Sequence, residues 1–278
     1  MTEITAHHGL LKDVKLHADD YGGIGRPVVL IHGWPLSGAS WAAQIPALRQ
    51  AGYRPITYDR RGFGRSDKPL TGYSYDSLAE DLHKVLVELN VRDATLVGFS
   101  MGGGEVARYL ANYGPERVRS AVFAAAVTPY MMKTPDNPDG PLQPGEAAKM
   151  TASLTANQDK FYDGFITEFF SVGGQLKVSE QQRQEALALT GQAGKVPALE
   201  CLTAFGNTDF REDLAKVSVP TLVLHGDGDA TVPFEGSGKR THAAIPGSDL
   251  VVLPGAPHGC NVSHADAFNA ALLQFLER

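Results

Sequence analysis

Cysteine is nearly missing from these 278 residues: Cys201 and Cys260 are the whole complement. One bridge between them is the most they could form, so no disulfide framework is available, and no metal-spaced cysteine cluster exists either. A reduced, cytoplasmic setting is the expectation. Long apolar runs are missing too, which excludes a transmembrane helix. The opening segment Met1 to Leu11, with Glu3, His7 and His8, reads as a tail and lacks the apolar centre of a secretory signal. No block of Lys or Arg occurs, and a net charge of -6 is spread over both signs, which argues against nucleic acid as a partner. No internal repeat or low-complexity tract appears. What is present, 43% hydrophobic and 20% charged residues, is an ordinary globular composition with length for one large domain and an insertion.

Strand-sized apolar runs alternate with helix-period segments, which predicts an α/β fold with a mostly parallel central sheet and helices on both faces. Pro27–Ile31, Arg54–Tyr58, Ala94–Val97, Val118–Ala125, Thr221–His225 and Leu250–Leu253 read as strands. Ser40–Gln50 reads as a helix with Trp41, Ile45 and Leu48 on one side. Ser74–Leu89 and His264–Arg278 are also helices, the latter burying Phe268, Leu272, Phe275 and Leu276. Between Pro129 and about Thr208 the alternation stops. A Pro- and Asp-rich loop gives way to four helical segments, so the chain divides into core (1–128), all-helical cap (129–208) and core again (209–278). Phe161, Phe165, Phe169 and Phe170 give the cap an aromatic stripe. Packing is the ordinary role for such rings; Phe161 and Phe165 are also candidates to line a substrate pocket.

The densest chemical signal is Gly98-Phe99-Ser100-Met101-Gly102, which follows a strand and opens a helix. A G-x-S-x-G elbow in that context presents its serine at a helix N-terminus, and Ser100 is the expected nucleophile. A serine hydroxyl needs a base and an orienting carboxylate, in the chain order Ser, acid, His. The loops after the next two strands provide both: His225-Gly226-Asp227-Gly228-Asp229, then Pro257-His258-Gly259. His258 alone has the base's position. His32 and His225 each precede a glycine at a strand end and are expected to hold turns by hydrogen bonds; His7, His8, His83, His242 and His264 fall in tail or helix-surface patterns. Asp229 lies farther into the loop and is favoured as the acid, with Asp227 expected to cap the turn. The oxyanion donors expected are the backbone N–H groups of Met101 and of Trp34, in His32-Gly33-Trp34-Pro35; Pro35 has no N–H to give and is placed in the pocket wall.

These residues, with Tyr58-Asp59-Arg60-Arg61-Gly62-Phe63-Gly64-Arg65-Ser66, Gly103-Gly104-Glu105 and Asp209-Phe210-Arg211, resemble the α/β-hydrolase superfamily from about Pro27 to Arg278. More narrowly, the chain is similar to the bacterial cofactor-free (non-haem) chloroperoxidases and arylesterases. The resemblance implies a triad of Ser100, Asp229 and His258, with Trp34 and Met101 as oxyanion donors. It also implies hydrolysis of small aryl and alkyl esters and formation of peracid from a carboxylic acid and hydrogen peroxide. The peracid then oxidises halide with no metal, haem or other cofactor. Partners would be these small molecules, without nucleic acid or membrane, and a homo-oligomer is left open. Residues 259–263 depart from the Thr- and Asp-rich stretch of that family. A lactonase or lactamase, a C–C bond hydrolase or lyase, and a non-catalytic ligand receptor are the alternative readings on the same fold.

Overall fold

The computed structural model describes residues 2–8 and 11–278, without the side chains of His7, His8, Leu11 and Lys12. The expectation of solvated His7 and His8 rings therefore lies outside the described residues. Eight strands form the main sheet: β1 (Thr2–His8), β2 (Leu11–Asp20), β3 (Pro27–Ile31), β4 (Arg54–Tyr58), β5 (Ala94–Phe99), β6 (Val118–Ala124), and the strands Thr221–Gly226 and Asp249–Leu253. A two-stranded ribbon, β7 (Ser171–Val172) and β8 (Gln175–Leu176), precedes those last two, which are β9 and β10. The sheet order is β1-β2-β4-β3-β5-β6-β9-β10. Pairings from β4 through β10 are parallel, and β1–β2 and β2–β4 are antiparallel.

Parallel strands covered on both faces are continuous apolar runs rather than alternating ones, and β5 is buried along its whole length. The period of two still sorts the side chains. Val29 and Ile31 face one core, while Val28 and Leu30 face the other. The first core is closed by α2 (Tyr75–Glu88) and α3 (Met101–Tyr113); the second by α1 (Gln44–Gln50) and α11 (Ala265–Leu276). In α2 the N-cap Ser74 accepts from the Ser77 N–H, and Leu78, Leu82, Val85 and Leu86 are buried at helical spacing. Between β6 and β9 lie α4 (Pro144–Ala156), α5 (Gln158–Phe169), α6 (Glu180–Thr190), α7 (Lys195–Asn207) and the short α8 (Arg211–Leu214); α9 (Gly238–Ala244) and α10 (Cys260–Ser263) follow β9 and β10. Among the described residues no helix is long and apolar enough to cross a membrane.

Three sequence expectations need correction. The stretch before Pro27 is an antiparallel strand pair, in which Ile4, Ala6, Val14, Leu16 and Ala18 are buried. Its period of two is diluted by Lys, His and Asp on the solvent face. Ser40–Gln50 is not one helix: a 3-10 turn, Gly38–Trp41, is followed by α1. The break places Pro46 in the first turn of α1, where its missing N–H costs nothing. Finally, the helices between β6 and β9 are interrupted by the β7–β8 ribbon, turned through Gly173 and Gly174, both with positive φ.

Candidate active site

Ser100 stands between β5 and α3 with φ of 54°, a left-handed conformation that a non-glycine residue seldom holds. Its N–H donates to the Ala124 carbonyl (2.9 Å), and its own carbonyl accepts from Gly103 and Val127. The neighbouring glycines make room for this turn. A Cβ on Gly98 would lie 2.4 Å from the Gly102 oxygen, and one on Gly102 would lie 2.5 Å from the Ile31 oxygen. The elbow thus requires both glycines of the motif.

The loops after β9 and β10 converge on this serine. His258 Nε2 lies 2.9 Å from Ser100 Oγ, and His258 Nδ1 lies 2.7 Å from Asp229 Oδ2. With the Nδ1 proton directed at the carboxylate, Nε2 is the lone-pair nitrogen able to accept the Ser100 proton. Asp229 Oδ1 accepts from the Val232 N–H at 2.7 Å. Burial alone would raise the Asp229 carboxyl, but the charge of His258 and hydrogen bonds from His225 and His258 prevail and hold it at about 2. Asp229 and His258 are buried, and Ser100 is 6% exposed. Phe99 and Phe169 pack on the His258 ring, at centroid distances of 5.1 and 4.9 Å. Asp227 lies outside this arrangement. It is exposed, and its Oδ1 accepts from the Gly255 N–H at 2.6 Å, a turn-capping contact.

His32 opens the loop that carries Trp34. Its Nδ1 donates to the Gly33 carbonyl (2.9 Å), and its Nε2 accepts from the Arg60 N–H (2.9 Å). Burial, then the Arg60 charge, pushes its protonation well below the usual imidazole range, in keeping with that one-donor, one-acceptor pattern. His32 is therefore a turn-holding residue. Neither the Trp34 nor the Met101 N–H makes an internal hydrogen bond among the described residues. Pro35, joined to Trp34 by a cis peptide, is buried. The Trp34 indole donates to the Ala198 carbonyl on α7 (3.0 Å) and meets Phe161 and Phe165 edge-on at 6.1 and 5.2 Å.

A cleft of about 440 Å³ opens beside these rings, its apolar wall including Met150, Phe161 and Phe165, its rim the carboxylates Glu146 and Glu168, and its floor Ala230 and Thr231, which directly follow Asp229. Pro35 is not part of that lining. Phe161 and Phe165 thus serve as packing and as cleft wall, whereas Phe169 and Phe170 are buried. Other histidines stay away from the serine: His83 stacks on Tyr113 (4.2 Å), His242 meets Ser248 and His264 meets Ser263. Cys201 and Cys260 are free and buried, and burial raises both thiols, Cys201 to about 12.

Sequence pattern alone assigns Arg60 and Glu105 no task. Both are buried and ion-paired, and Glu105 also accepts from the Tyr58 hydroxyl. Arg60 Nη2 donates to the His32 carbonyl at 2.6 Å. A carboxylate one turn into α3 therefore braces the His32–Trp34 loop through one guanidinium. The signal was a charged residue, Glu105, in a helix stretch otherwise small and apolar.

The sequence profile of the α/β-hydrolase fold matches residues 26–265. The chain belongs to the α/β-hydrolase family. Within it, this hydrolase is 41% identical to a non-haem chloroperoxidase of Kitasatospora aureofaciens, over 95% of this chain and 97% of the relative. It is 38% identical to a bifunctional esterase/perhydrolase of Acinetobacter calcoaceticus, over 95% and 96% of the two chains. The crystal structure of a bromoperoxidase from Bacillus anthracis superposes with a TM-score of 0.96 at 48% identity, covering 100% of this chain and 99% of the other.

Proposed function

We propose that this α/β-hydrolase is a serine esterase that works through an acyl-Ser100 intermediate and also forms peracids. The observation that carries the reading is the line of contacts from Ser100 Oγ to His258 to Asp229. Ser100 Oγ attacks the ester carbonyl as His258 Nε2 takes its proton; Asp229 fixes the imidazole and balances the imidazolium. The N–H groups of Trp34 and Met101, free of internal partners and flanking the elbow, receive the developing oxyanion. His258 returns the proton to the leaving alcohol. Water then releases the acid, or hydrogen peroxide releases the peracid, each restoring the Ser100 hydroxyl. The peracid transfers its terminal oxygen and proton to halide, giving hypohalous acid and the carboxylate.

Residues 129–208 act as the cap, and the cleft beneath it suits a neutral substrate with an apolar or aromatic group against Phe161 and Phe165. Pro35 supports the oxyanion loop from within. Choosing peroxide over water by tenfold needs only about 1.4 kcal/mol of transition-state preference. The relatives named for both activities support the pairing.

The test combines p-nitrophenyl ester hydrolysis, fluorophosphonate labelling, and bromide-dependent bromination of monochlorodimedone in acetate and peroxide, with and without EDTA. Ester turnover, labelling at Ser100 and EDTA-insensitive bromination are expected. Ester turnover without bromination reduces the reading to an esterase; bromination lost to EDTA overturns the cofactor-free route. Pro35→Leu is expected to lower the peracid-to-hydrolysis ratio, and an unchanged ratio removes Pro35 from that choice.

A further inference from the structure

Asp229 is shared by two histidines, and the mechanism above uses only one. His225, on β9, has no exposed surface. Its Nε2 lies 2.8 Å from the Val232 carbonyl oxygen and 3.2 Å from Asp229 Oδ2. Both partners are acceptors, so Nε2 carries the proton; it donates to the Val232 carbonyl and holds that proton beside Asp229 Oδ2. Among the described residues Nδ1 is buried without a partner, and Gly238 at the start of α9 passes so close that a Cβ there would lie 2.4 Å from it. A second proton would create a buried cation with an unpaired N–H, which is costly. His225 is thus a one-way donor, its tautomer assigned from its partners.

The titratable groups acting on Asp229 are His258, which donates to the same Oδ2, and His225. Cys260, on α10, feels the Asp229 charge in turn, its thiol already raised by burial. Thr128, Ser237 and Thr241, which are buried and uncharged, stand around α9. We propose that His225 is a positioning residue whose Nε2 proton, held 3.2 Å from Asp229 Oδ2, weakens that carboxylate's hold on His258, and so sets the pH at which the Ser100–His258 pair begins to work. The proposal rests on the triad reading above. Each donor to a carboxylate withdraws charge from it, so a carboxylate with one donor fewer is a stronger base. It would then stabilise the His258 imidazolium more, and a higher pH would be needed to free Nε2 for the Ser100 proton. Removing the His225 donor therefore moves the onset of activity upward in pH.

The experiment measures kcat/KM against pH with a neutral p-nitrophenyl ester for wild type, His225→Leu and His225→Gln. Leucine removes the donor and keeps an apolar filling; the glutamine amide returns an N–H near the Nε2 position. In His225→Leu the midpoint is expected to rise by about half a pH unit, a roughly threefold loss below the midpoint with a smaller loss above it. His225→Gln should return the midpoint toward wild type. An unmoved midpoint in both variants, with activity lowered equally at every pH, overturns the proposal in favour of a merely structural histidine. Should His225→Leu fail to fold, imidazole 15N shifts of the wild-type protein decide: a proton on His225 Nε2 supports the proposal, and one on Nδ1 overturns it. Ester turnover that survives Ser100→Ala would instead remove the triad reading, a separate result.

Discussion

At the scale of single residues, the site depends on atoms held where they are costly to hold. Ser100 occupies a strained backbone region, and Asp229 keeps a charge in a buried place. Ser100→Ala removes the covalent route and is expected to lower kcat by ~10⁴-fold or more with the fold intact, checked by ester kinetics beside a melting curve. The two aspartates should separate cleanly. Asp229→Asn can no longer fix the His258 tautomer and should collapse kcat, whereas Asp227→Asn keeps an Oδ1 acceptor for the Gly255 N–H and loses only its charge, at most about 1 kcal/mol of stability, and little rate. The reverse ranking would move the acid's role to Asp227. Asp229 also predicts an acid-side stability limb. Its folded carboxyl sits at about 2, below the ordinary 3.8, so the folded state binds its proton less readily. The resulting stabilisation, on the order of 2 kcal/mol, is fully present above the ordinary value and disappears as pH falls through about 2. Denaturant unfolding of wild type and Asp229→Asn at neutral pH and across that acid window would show a gap that closes; a pH-independent gap would count against it.

Between elements, the Arg60–Glu105 pair ties the loop after β4 to α3 and, through the His32 carbonyl, to the loop after β3. Removing one partner strands the other charge in the core. Glu105→Gln is therefore expected to lose about 3–5 kcal/mol, read from the urea midpoint, while the paired change Arg60→Met with Glu105→Leu should recover most of it. A loss under 1 kcal/mol in Glu105→Gln would mean that water reaches the guanidinium. The pair also shows what a sequence does not disclose. Ser100, His258 and Asp229 were legible because each ends a strand run and each belongs to a residue type with few other uses there. Buried parallel strands were legible for the same reason, since they are continuous apolar runs. Arg60 and Glu105 lie 45 positions apart, and only the sheet brings them together. The β7–β8 ribbon was invisible because strands of two residues carry no period, and the split of Ser40–Gln50 because Trp41, Ile45 and Leu48 keep helical spacing across it.

Across the whole molecule, the N-terminal strand pair covers the outer edge of β4, the end of an otherwise parallel sheet. Deleting residues 1–20 would bare that edge and the apolar surface under Ile4, Val14 and Leu16. Loss of soluble, single-species protein in size-exclusion chromatography is the expected outcome, and a well-behaved truncated enzyme would show the extension to be dispensable. The order of the parts along the chain has a consequence in time. Ser100 precedes the helices of residues 144–207, Asp229 and His258 follow them, and Ser100 and His258 are 158 positions apart. Trp34 and Trp41 are likewise buried against distant segments, Trp34 against Ala198 and Phe165 and Trp41 against Phe268. Long-range pairings close after local ones, so in refolding the far-UV circular dichroism of the helices should recover first, and tryptophan fluorescence and esterase activity last. Activity then becomes a clock that starts only when the two ends of the chain have met.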